Sequence, residues 1–284
     1  MCIRDSVEGA ELGSPTLAFD PQGCVGGTHH VQVGTAGSTS LVAQAVLPAL
    51  MFAEGPSELV IEGGTHARQA PPFEFLRDAW MPLMTRIGAT CTAELERPGF
   101  FPKGGGRLRV RVEPVQDAQP LELLERGAHR QNRATAVVAK LPRHIGEREL
   151  AVVAKRLGWQ SKCLRVDERE DSAGPGNALV LSVAHEHVTE IFSAFGAVGV
   201  PAERVARHAC NQVRDWLKRD VAVGEHLADQ LMLPLALGAG GVYRTSSLTQ
   251  HSRTNIEVIH LFLGDVIDVQ ALADDVVAVH VKGR

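Results

Sequence analysis

The sequence predicts an α/β fold built from copies of one strand–helix module, with a smaller α/β insert. Three observations support this prediction. Strand-like and helix-like segments alternate through the first third of the 284-residue chain, with glycine-rich turns between them. A helix with an interior proline occurs twice in similar sequence, although such a proline costs about 3 kcal/mol unless the fold accommodates it. Between the two copies, the sequence changes to a linker followed by amphipathic segments.

The elements of the first third follow from hydrophobic periodicity and from the residues that interrupt it. Apolar residues at helical spacing begin after Ser38 and Thr39, either of which can cap the helix N-terminus. Residues 107–113 alternate between polar and apolar, which is typical of a half-buried strand. In chain order, the predicted elements are strands at Thr16–Phe19 and His29–Val33, a helix from Thr39 that Gly55 and Pro56 end, a strand at Leu59–Ile61, a helix at Phe73–Ile87 and a strand at Arg107–Glu113.

Two eight-residue segments, Leu41–Pro48 and Leu227–Pro234, mark the repeated module. They share Leu, Gln, Leu and Pro at equivalent positions, and both run into glycine-rich turns and a strand. We interpret them as one structural unit that occurs twice in the chain.

The middle of the chain predicts a separate insert. Pro114–Arg130 has the composition of a linker and precedes amphipathic helices at Glu147–Leu157 and Ala202–Lys218. Ala178–Ala184 is predicted to be a strand because it follows a Gly-Pro turn. We therefore divide the chain into a first part of a large domain (1–123), an insert domain (124–220) and a second part of the large domain (221–284).

Composition favours a folded protein of a reducing compartment. Forty-four per cent of the residues are hydrophobic, enough for a full core. The 29 Lys and Arg against 33 Asp and Glu give a net charge of −4, which excludes a polycation that coats nucleic acid. The five cysteines are far apart and form no C-x-x-C pair, so they indicate neither a disulfide framework nor a cysteine zinc site. We expect a cytoplasmic location.

No segment of the sequence is predicted to enter a membrane. The longest mostly apolar run, Leu41–Ala53, is about 13 residues long, whereas a spanning helix needs about 20. Met1–Ser6 lacks the apolar region and cleavage site of a signal peptide and shows no periodicity. We interpret it as an assembly scar and expect the protein to start near Val7.

Two glycine-rich turns have two interpretations each. The amides of Gly34–Ser38 lead into a helix and could bind an anion at its positive end, or the segment could be an ordinary tight turn. Gly104–Gly106 permits either close approach of a ligand or an irregular turn. A P-loop is excluded because G-x-x-x-x-G-K-[ST] is absent from the sequence.

Three arginines share one face of a predicted strand. Arg107, Arg109 and Arg111 alternate with apolar residues, and Lys103 lies just before them. This concentration of positive charge suits a phosphate backbone, but a solvated face of a half-exposed sheet explains it equally well.

Polar residues inside apolar helical patterns are further candidates. Gln44 interrupts the first copy of the module, and Asp229 and Gln230 interrupt the second. A buried amide must find hydrogen-bond partners, so these residues could contact a ligand or satisfy internal backbone groups. His185 and His187 are expected to point apart at a strand end, which argues against a zinc site.

His251 lies in a polar segment before a predicted strand at Ile256–Phe262. A neutral imidazole can act as a nucleophile toward phosphorus, and neighbouring hydroxyl and amide groups could fix its tautomer. A surface histidine in a polar loop is the alternative.

Taken together, these segments resemble the RNA 3′-terminal phosphate cyclase family. Matching motifs occur in family order from about Val7 to the C-terminus, and LPRHIGER at Leu141–Arg148 resembles the start of the family's inserted small domain. The matching strings are GTAGSTSLVAQAVLP at Gly34–Pro48, GGTHARQAPPFEFL at Gly63–Leu76, RPGFFPKGGG at Arg97–Gly106, GEHLADQLMLP at Gly224–Pro234 and HSRTNI at His251–Ile256.

The resemblance implies a fold and a reaction. It implies repeated βαβαββ units in a large domain with a smaller α/β insert. It also implies that ATP and a divalent cation (Mg²⁺ or Mn²⁺) convert an RNA 3′-phosphate end to a 2′,3′-cyclic phosphate through a histidine–AMP intermediate. By motif, His251 matches the catalytic nucleophile. Gln44 and the stretch His226, Leu227, Ala228, Asp229 and Gln230 match ATP-contacting positions.

The chain departs from the family at its start. Nothing in Met1–Gly13 matches the family's opening strand and glycine-rich segment, so we expect roughly the first repeat of the large domain to be missing. One alternative function is that of the cyclase-like proteins of ribosome biogenesis, which are expected to lack the nucleophilic histidine. Enolpyruvate transferases share the repeated fold, but their substrate motifs are absent from the sequence.

Overall fold

The computed structural model describes residues 6–284. The prediction about Met1–Ser6 therefore falls, apart from Ser6, outside the described residues. Strand β1 (Ser6–Glu8) pairs with β2 (Ala18–Asp20) in a small antiparallel ribbon. The mixed α/β class predicted from the sequence is confirmed in the described part of the chain.

The first large sheet and its helices form a βαβαββ unit. Strands β3 and β4 are parallel, and β4–β6 and β6–β5 are antiparallel, which gives the order β3-β4-β6-β5. Its elements are β3 (Val25–Gln32), α1 (Thr39–Leu50), β4 (Glu54–Gly63), a π-helix (Phe75–Trp80) that continues into α2 (Met81–Arg86), β5 (Thr90–Arg97) and β6 (Gly106–Glu113).

The C-terminal part repeats the same order. Its sheet runs β7-β12-β14-β13, with β7 and β12 parallel and the other pairs antiparallel. Its elements are β7 (Leu121–Leu123), α5 (Glu225–Leu237), β12 (Gly240–Ser246), α6 (Gln250–Leu263), β13 (Ile267–Ala273) and β14 (Val276–Lys282). Helices α1 and α5 hold equivalent places, so the repeated unit predicted from the two proline-containing segments is present in the structure.

A third sheet is formed by the chain between β7 and α5. Its order is β11-β10-β8-β9, and α3 and α4 pack together on one face. Its elements are β8 (His129–Ala139), α3 (His144–Leu157), β9 (Leu164–Arg169), β10 (Gly176–His185), β11 (Thr189–Phe195) and α4 (Ala202–Lys218). This chain lies within the predicted insert 124–220, whose status as a separate domain remains a prediction.

The two repeated units share one apolar core. Leu47 and Ile61 from the first unit and Leu231 and Tyr243 from the second are fully buried in the same cluster. A second cluster lies between the insert sheet and its helices, with Leu179 and Val213 at its centre. The helices of the two units therefore meet in the interior, and this placement positions the site described below.

Four predictions of local structure need correction. Gly55 and Pro56 begin β4 and do not end α1, which stops at Leu50. The helix predicted at Phe73–Ile87 is in part a π-helix. The linker Pro114–Arg130 contains β7, because Leu121 and Leu123 are buried beside β12.

Residues Ile256–Phe262, for which the sequence predicts a strand, are part of helix α6, so that prediction is wrong. The helix starts where the Thr249 hydroxyl accepts a hydrogen bond from the Ser252 amide, a capping interaction that stabilises the first turn of a helix. The apolar run contains β-branched residues, which favour strands in isolation, but only Ile259 within it is fully buried.

Candidate active site

A cleft of about 590 Å³ lies between α1, α5 and α6. Four predicted site residues line it: Gln44 comes from α1, Asp229 and Gln230 come from α5, and His251 comes from α6. The remaining walls are mostly apolar and include Leu41, Ala45, Pro48, Trp80, Leu233, Pro234 and Val258. Residues as far apart in the sequence as Gln44 and His251 thus meet in one place because the two units share a core.

His251 is the second residue of α6, so the prediction of a polar loop around it is wrong. Its side chain is exposed toward the cleft, while the neighbouring Ser252 is buried and its hydroxyl lies 3.1 Å from the Thr249 hydroxyl. A histidine on the first turn of a capped helix has a fixed backbone and an accessible ring, which a nucleophile needs.

Asp229 is the carboxylate of the cleft. Burial raises its pKa, while a hydrogen bond from Gln230 and the nearby His226 and His251 act in the opposite direction. The Gln230 Nε2 donates to Asp229 Oδ1 over 3.3 Å. A partly buried carboxyl beside an accessible imidazole can orient that imidazole or stabilise its charged form.

Gln44 has an unused hydrogen-bond donor. Its Nε2 atom is buried and finds no partner among residues 6–284. The backbone carbonyl of Gln44 also lacks its usual helical hydrogen bond. The donor would be the N–H of residue 48, four positions later, and Pro48 has none. A buried amide without a partner is costly in a folded protein, and one that lines a cleft is a candidate contact for a bound molecule.

The equivalent carbonyl in α5 is satisfied by a side chain. Pro234 cannot donate to the Gln230 carbonyl, and the indole Nε1 of Trp80 donates to it over 3.1 Å. The neighbouring Asp229 carbonyl accepts from Asn255 Nδ2 over 2.8 Å. Sequence reasoning did not single out Trp80 or Asn255. The spacing of Gln230 and Pro234 signals a free carbonyl, but nothing in the sequence identifies its donor.

Three predicted site residues are not among those that line the cleft. The side chains of Leu227 and Ala228 are buried in the core, and the Ala228 carbonyl accepts from the Tyr243 hydroxyl over 2.6 Å. His226 is exposed and lies 3.7 Å from Glu225. The structure therefore brings together Gln44, Asp229, Gln230 and His251, but not His226, Leu227 and Ala228.

The glycine-rich turns pack against one another. A β-carbon on Gly64 would lie 2.5 Å from the Ala36 carbonyl oxygen, and one on Gly104 would lie 2.1 Å from that of Thr35. The amides at the start of α1 are also used, since Thr39 donates to the Gly64 carbonyl and Leu41 to the Ser38 hydroxyl. These contacts favour the tight-turn interpretation over an anion site.

The arginine face of β6 is neutralised by carboxylates on neighbouring strands. Arg109 binds Glu58 of β4 and Glu96 of β5, and Arg107 donates to Glu62 over 2.7 Å. The hydrogen bond from Arg109 to Glu96 holds the pKa of this carboxyl group below its usual value. This pairing favours the interpretation that the arginines lie on a solvated face of the sheet. It leaves little unpaired positive charge to bind a phosphate backbone.

Within residues 6–284, no group of three or more His, Cys, Asp or Glu side chains is placed to hold a metal ion. No helix in the same range combines the length and apolar character needed to cross a membrane.

Comparison with known proteins identifies the family. The sequence model described as "RNA 3′-terminal phosphate cyclase" matches residues 1–269. The chain belongs to the RNA 3′-terminal phosphate cyclase family. It is 48% identical over 258 residues to the RNA 3′-terminal phosphate cyclase of Koribacter versatilis, covering 91% of this chain and 73% of that protein.

Two further family members show the same relationship. The cyclase of Ectopseudomonas mendocina is 48% identical over 265 residues, covering 93% of this chain and 77% of the relative. The cyclase of Ralstonia nicotianae is 46% identical over 270 residues, covering 95% and 77%. The resemblance that the five motifs indicate is therefore confirmed, and the family is one of enzymes.

Proposed function

We propose that this chain converts an RNA 3′-terminal phosphate to a 2′,3′-cyclic phosphodiester with ATP, through a covalent histidine–AMP intermediate on His251. The observation that carries the proposal is the convergence of His251, Asp229 and Gln44 from three helices on one cleft. Relatives at 46–48% identity that bear the cyclase name support the same reaction. We also propose a cytoplasmic location and a separate insert domain at 124–220.

The reaction proceeds in three displacements at phosphorus. A ring nitrogen of His251 forms a bond to the α-phosphorus of ATP, and the bond to the bridging oxygen breaks as pyrophosphate leaves. An oxygen of the RNA 3′-phosphate then takes the AMP group, which breaks the phosphorus–nitrogen bond. Finally, the 2′-hydroxyl loses its proton and attacks the 3′-phosphorus, and AMP leaves as the ring closes.

The residues of the cleft fit an adenylate donor. The unused Nε2 donor of Gln44 can bind a phosphate oxygen or a base, which would relieve its unpaired state. Asp229 can hold the His251 imidazole in the tautomer whose free nitrogen faces phosphorus. His226, exposed at the start of α5, is free to contact a ligand that extends beyond the cleft.

The divalent cation remains a prediction. Asp229 is a carboxylate of the cleft, but it does not lie within a ligand cluster among the described residues. When bound with a nucleotide, such a cation offsets charge on the phosphate oxygens. We derive no step of the reaction through it.

An RNA-end assay with His251→Ala tests the proposal. The substrate is an oligoribonucleotide with a 3′-phosphate, supplied with ATP and Mg²⁺, and the product is an end that resists phosphatase. We expect His251→Ala to abolish conversion without lowering the melting temperature, because the side chain is exposed. His208→Ala, an exposed histidine on α4, is the matched control and should convert RNA at the wild-type rate.

Two results would overturn the proposal. If His251→Ala converts the end as fast as the wild type does, His251 is not the nucleophile. If the wild type binds the oligonucleotide but leaves its end unchanged, the chain acts as a non-catalytic RNA-processing factor. The presence of His251 in an open cleft favours the enzyme over that alternative.

A further inference from the structure

Helix α6, which carries His251, is weakly anchored by apolar packing. Only Ser252 and Ile259 of its 14 residues are buried, Ile256 and Leu263 pack against the core while partly buried, and Leu261 and Phe262 are 82% and 80% exposed. A helix with so few buried side chains can slide or tilt on its neighbour at low cost. Its position on α5 therefore depends on polar contacts as well as on the few apolar side chains that face the core.

Asn255 supplies such a contact. Its Nδ2 donates to the backbone carbonyl of Asp229 over 2.8 Å and also lies 3.8 Å from the sulfur of Met232. Asn255 lies four residues after His251, so the two side chains share one face of α6, and both line the cleft. One hydrogen bond thus joins the first turns of α6, which carry His251, to Asp229 on α5.

The acceptor of this bond is itself fixed. The next carbonyl along α5, that of Gln230, is held by Trp80 in place of the N–H that Pro234 lacks. Trp80 is 1% exposed and belongs to the core. The proline-containing turn of α5 is therefore tied to the interior on one side and to α6 on the other.

We propose that Asn255 is a positioning residue that sets His251 against Asp229 and the cleft. The inference rests on the proposed function. Nucleophilic displacement needs the reacting atoms about 3–3.5 Å apart, and a misplacement of about 1 Å can cost about 100-fold in rate. Loss of the Asn255 bond lets α6 shift while the residues that contact the nucleotide stay in place.

The test compares Asn255→Asp, Asn255→Leu and Asn255→Gln with the wild type. Aspartate has the shape of asparagine but cannot donate when ionised, leucine has the same branching at Cγ with bulkier methyl groups and no donor, and glutamine keeps the amide. The measurement is the rate at which the chain takes up label from α-labelled ATP and Mg²⁺, over a range of ATP concentrations. Glu257→Gln, an exposed position on the same helix, is the control.

We expect the aspartate and leucine variants to take up label about 100-fold more slowly at saturating ATP. The ATP concentration for half-maximal rate should change by less than about threefold, because nucleotide binding is retained. Asn255→Gln should recover most of the rate. In the nucleotide-free protein, backbone amides of α6 should exchange with solvent about tenfold faster in Asn255→Leu, with α1 and the melting temperature unchanged.

The possible results separate this inference from the proposed function. A wild-type chain that takes up no label overturns the proposed function, and this inference falls with it. Label uptake by Asn255→Asp at the wild-type rate overturns the positioning role alone. A general loss of melting temperature with faster exchange across the whole chain, in all three variants, would make Asn255 a residue of overall stability and also overturn the inference.

Discussion

Glu190, on β11, is a buried carboxyl group whose Oε1 accepts a hydrogen bond from the Gly224 amide over 2.5 Å. Burial raises its pKa to about 8, although the hydrogen bond and the charge of Arg126 act in the opposite direction. Gly224 is the N-cap residue of α5, so this single contact joins the insert sheet to the helix that carries Asp229.

The raised pKa of Glu190 predicts a dependence of stability on pH. Between about pH 5 and pH 8 the carboxyl is ionised in the unfolded chain but protonated in the folded one, so the free energy of unfolding falls as pH rises. Glu190→Gln keeps an acceptor for Gly224 and removes the titration. We expect it to melt at a higher temperature than the wild type at pH 8 and at a similar temperature at pH 5.

Thermal unfolding across this pH range checks the prediction, with Glu257→Gln as the exposed control. An equal fall in melting temperature for Glu190→Gln and the wild type as pH rises would contradict it.

Single residues show where sequence reasoning stops. Gln44 and Asp229 could be identified because polar side chains interrupt apolar helical patterns. The ion pairs of Arg109 could not be identified from the sequence, because its partners Glu58 and Glu96 lie 51 and 13 residues away and reach it only through strand pairing. Alternation predicts which residues share a face of a strand, but not which charges the neighbouring strands supply.

At the scale of elements, the proline in α5 shows how a local defect becomes a tertiary contact. Pro234 removes a helical hydrogen bond, and the Trp80 indole takes its place at the Gln230 carbonyl over 3.1 Å. The π-helix that carries Trp80 packs against α5, so the ring reaches the carbonyl from the core side. The same defect in α1 leaves the Gln44 carbonyl without its helical donor at the cleft.

Trp80→Phe tests this contact. The variant keeps an aromatic ring at this position but leaves the partly buried Gln230 carbonyl without its donor. We therefore expect it to lower the free energy of unfolding by about 1–3 kcal/mol. Trp216→Phe is the matched control, because Trp216 is also buried but its Nε1 has no partner among the described residues. Urea unfolding measures both variants. An equal loss of stability in the two would contradict a specific role for the Trp80 hydrogen bond.

Helices α4 and α6 mark the limits of prediction from periodicity. The sequence predicts the bounds Ala202–Lys218 of α4, because the apolar residues of this helix recur on one clear face. In α6 the apolar residues lie on the buried and the exposed side alike, so the β-branched run in its sequence predicts a strand instead. The Thr249 side chain caps the first turn, and Ile256, Ile259 and Leu263 face the core at helical spacing, which together favour a helix here.

At the scale of the whole molecule, repetition explains why a cleft exists. Two βαβαββ units present equivalent helices, α1 and α5, to one shared core, and α6 completes the third wall. The repeat was predictable from eight-residue segments because the proline that interrupts a helix is rare and costly. The convergence of Gln44, Asp229 and His251 was not, since it depends on how the units pack, which no local pattern specifies.

The measurement that tests the central claim most directly is the position of a covalent AMP group. The chain is incubated with ATP and Mg²⁺, digested under conditions that preserve acid-labile phosphorus–nitrogen bonds, and analysed by tandem mass spectrometry. We predict AMP on His251 and on no other residue, with the adduct discharged when an RNA 3′-phosphate end is added. AMP on a lysine or another histidine, or cyclisation of the RNA end with no adduct on the chain, would contradict the claim that His251 is the nucleophile.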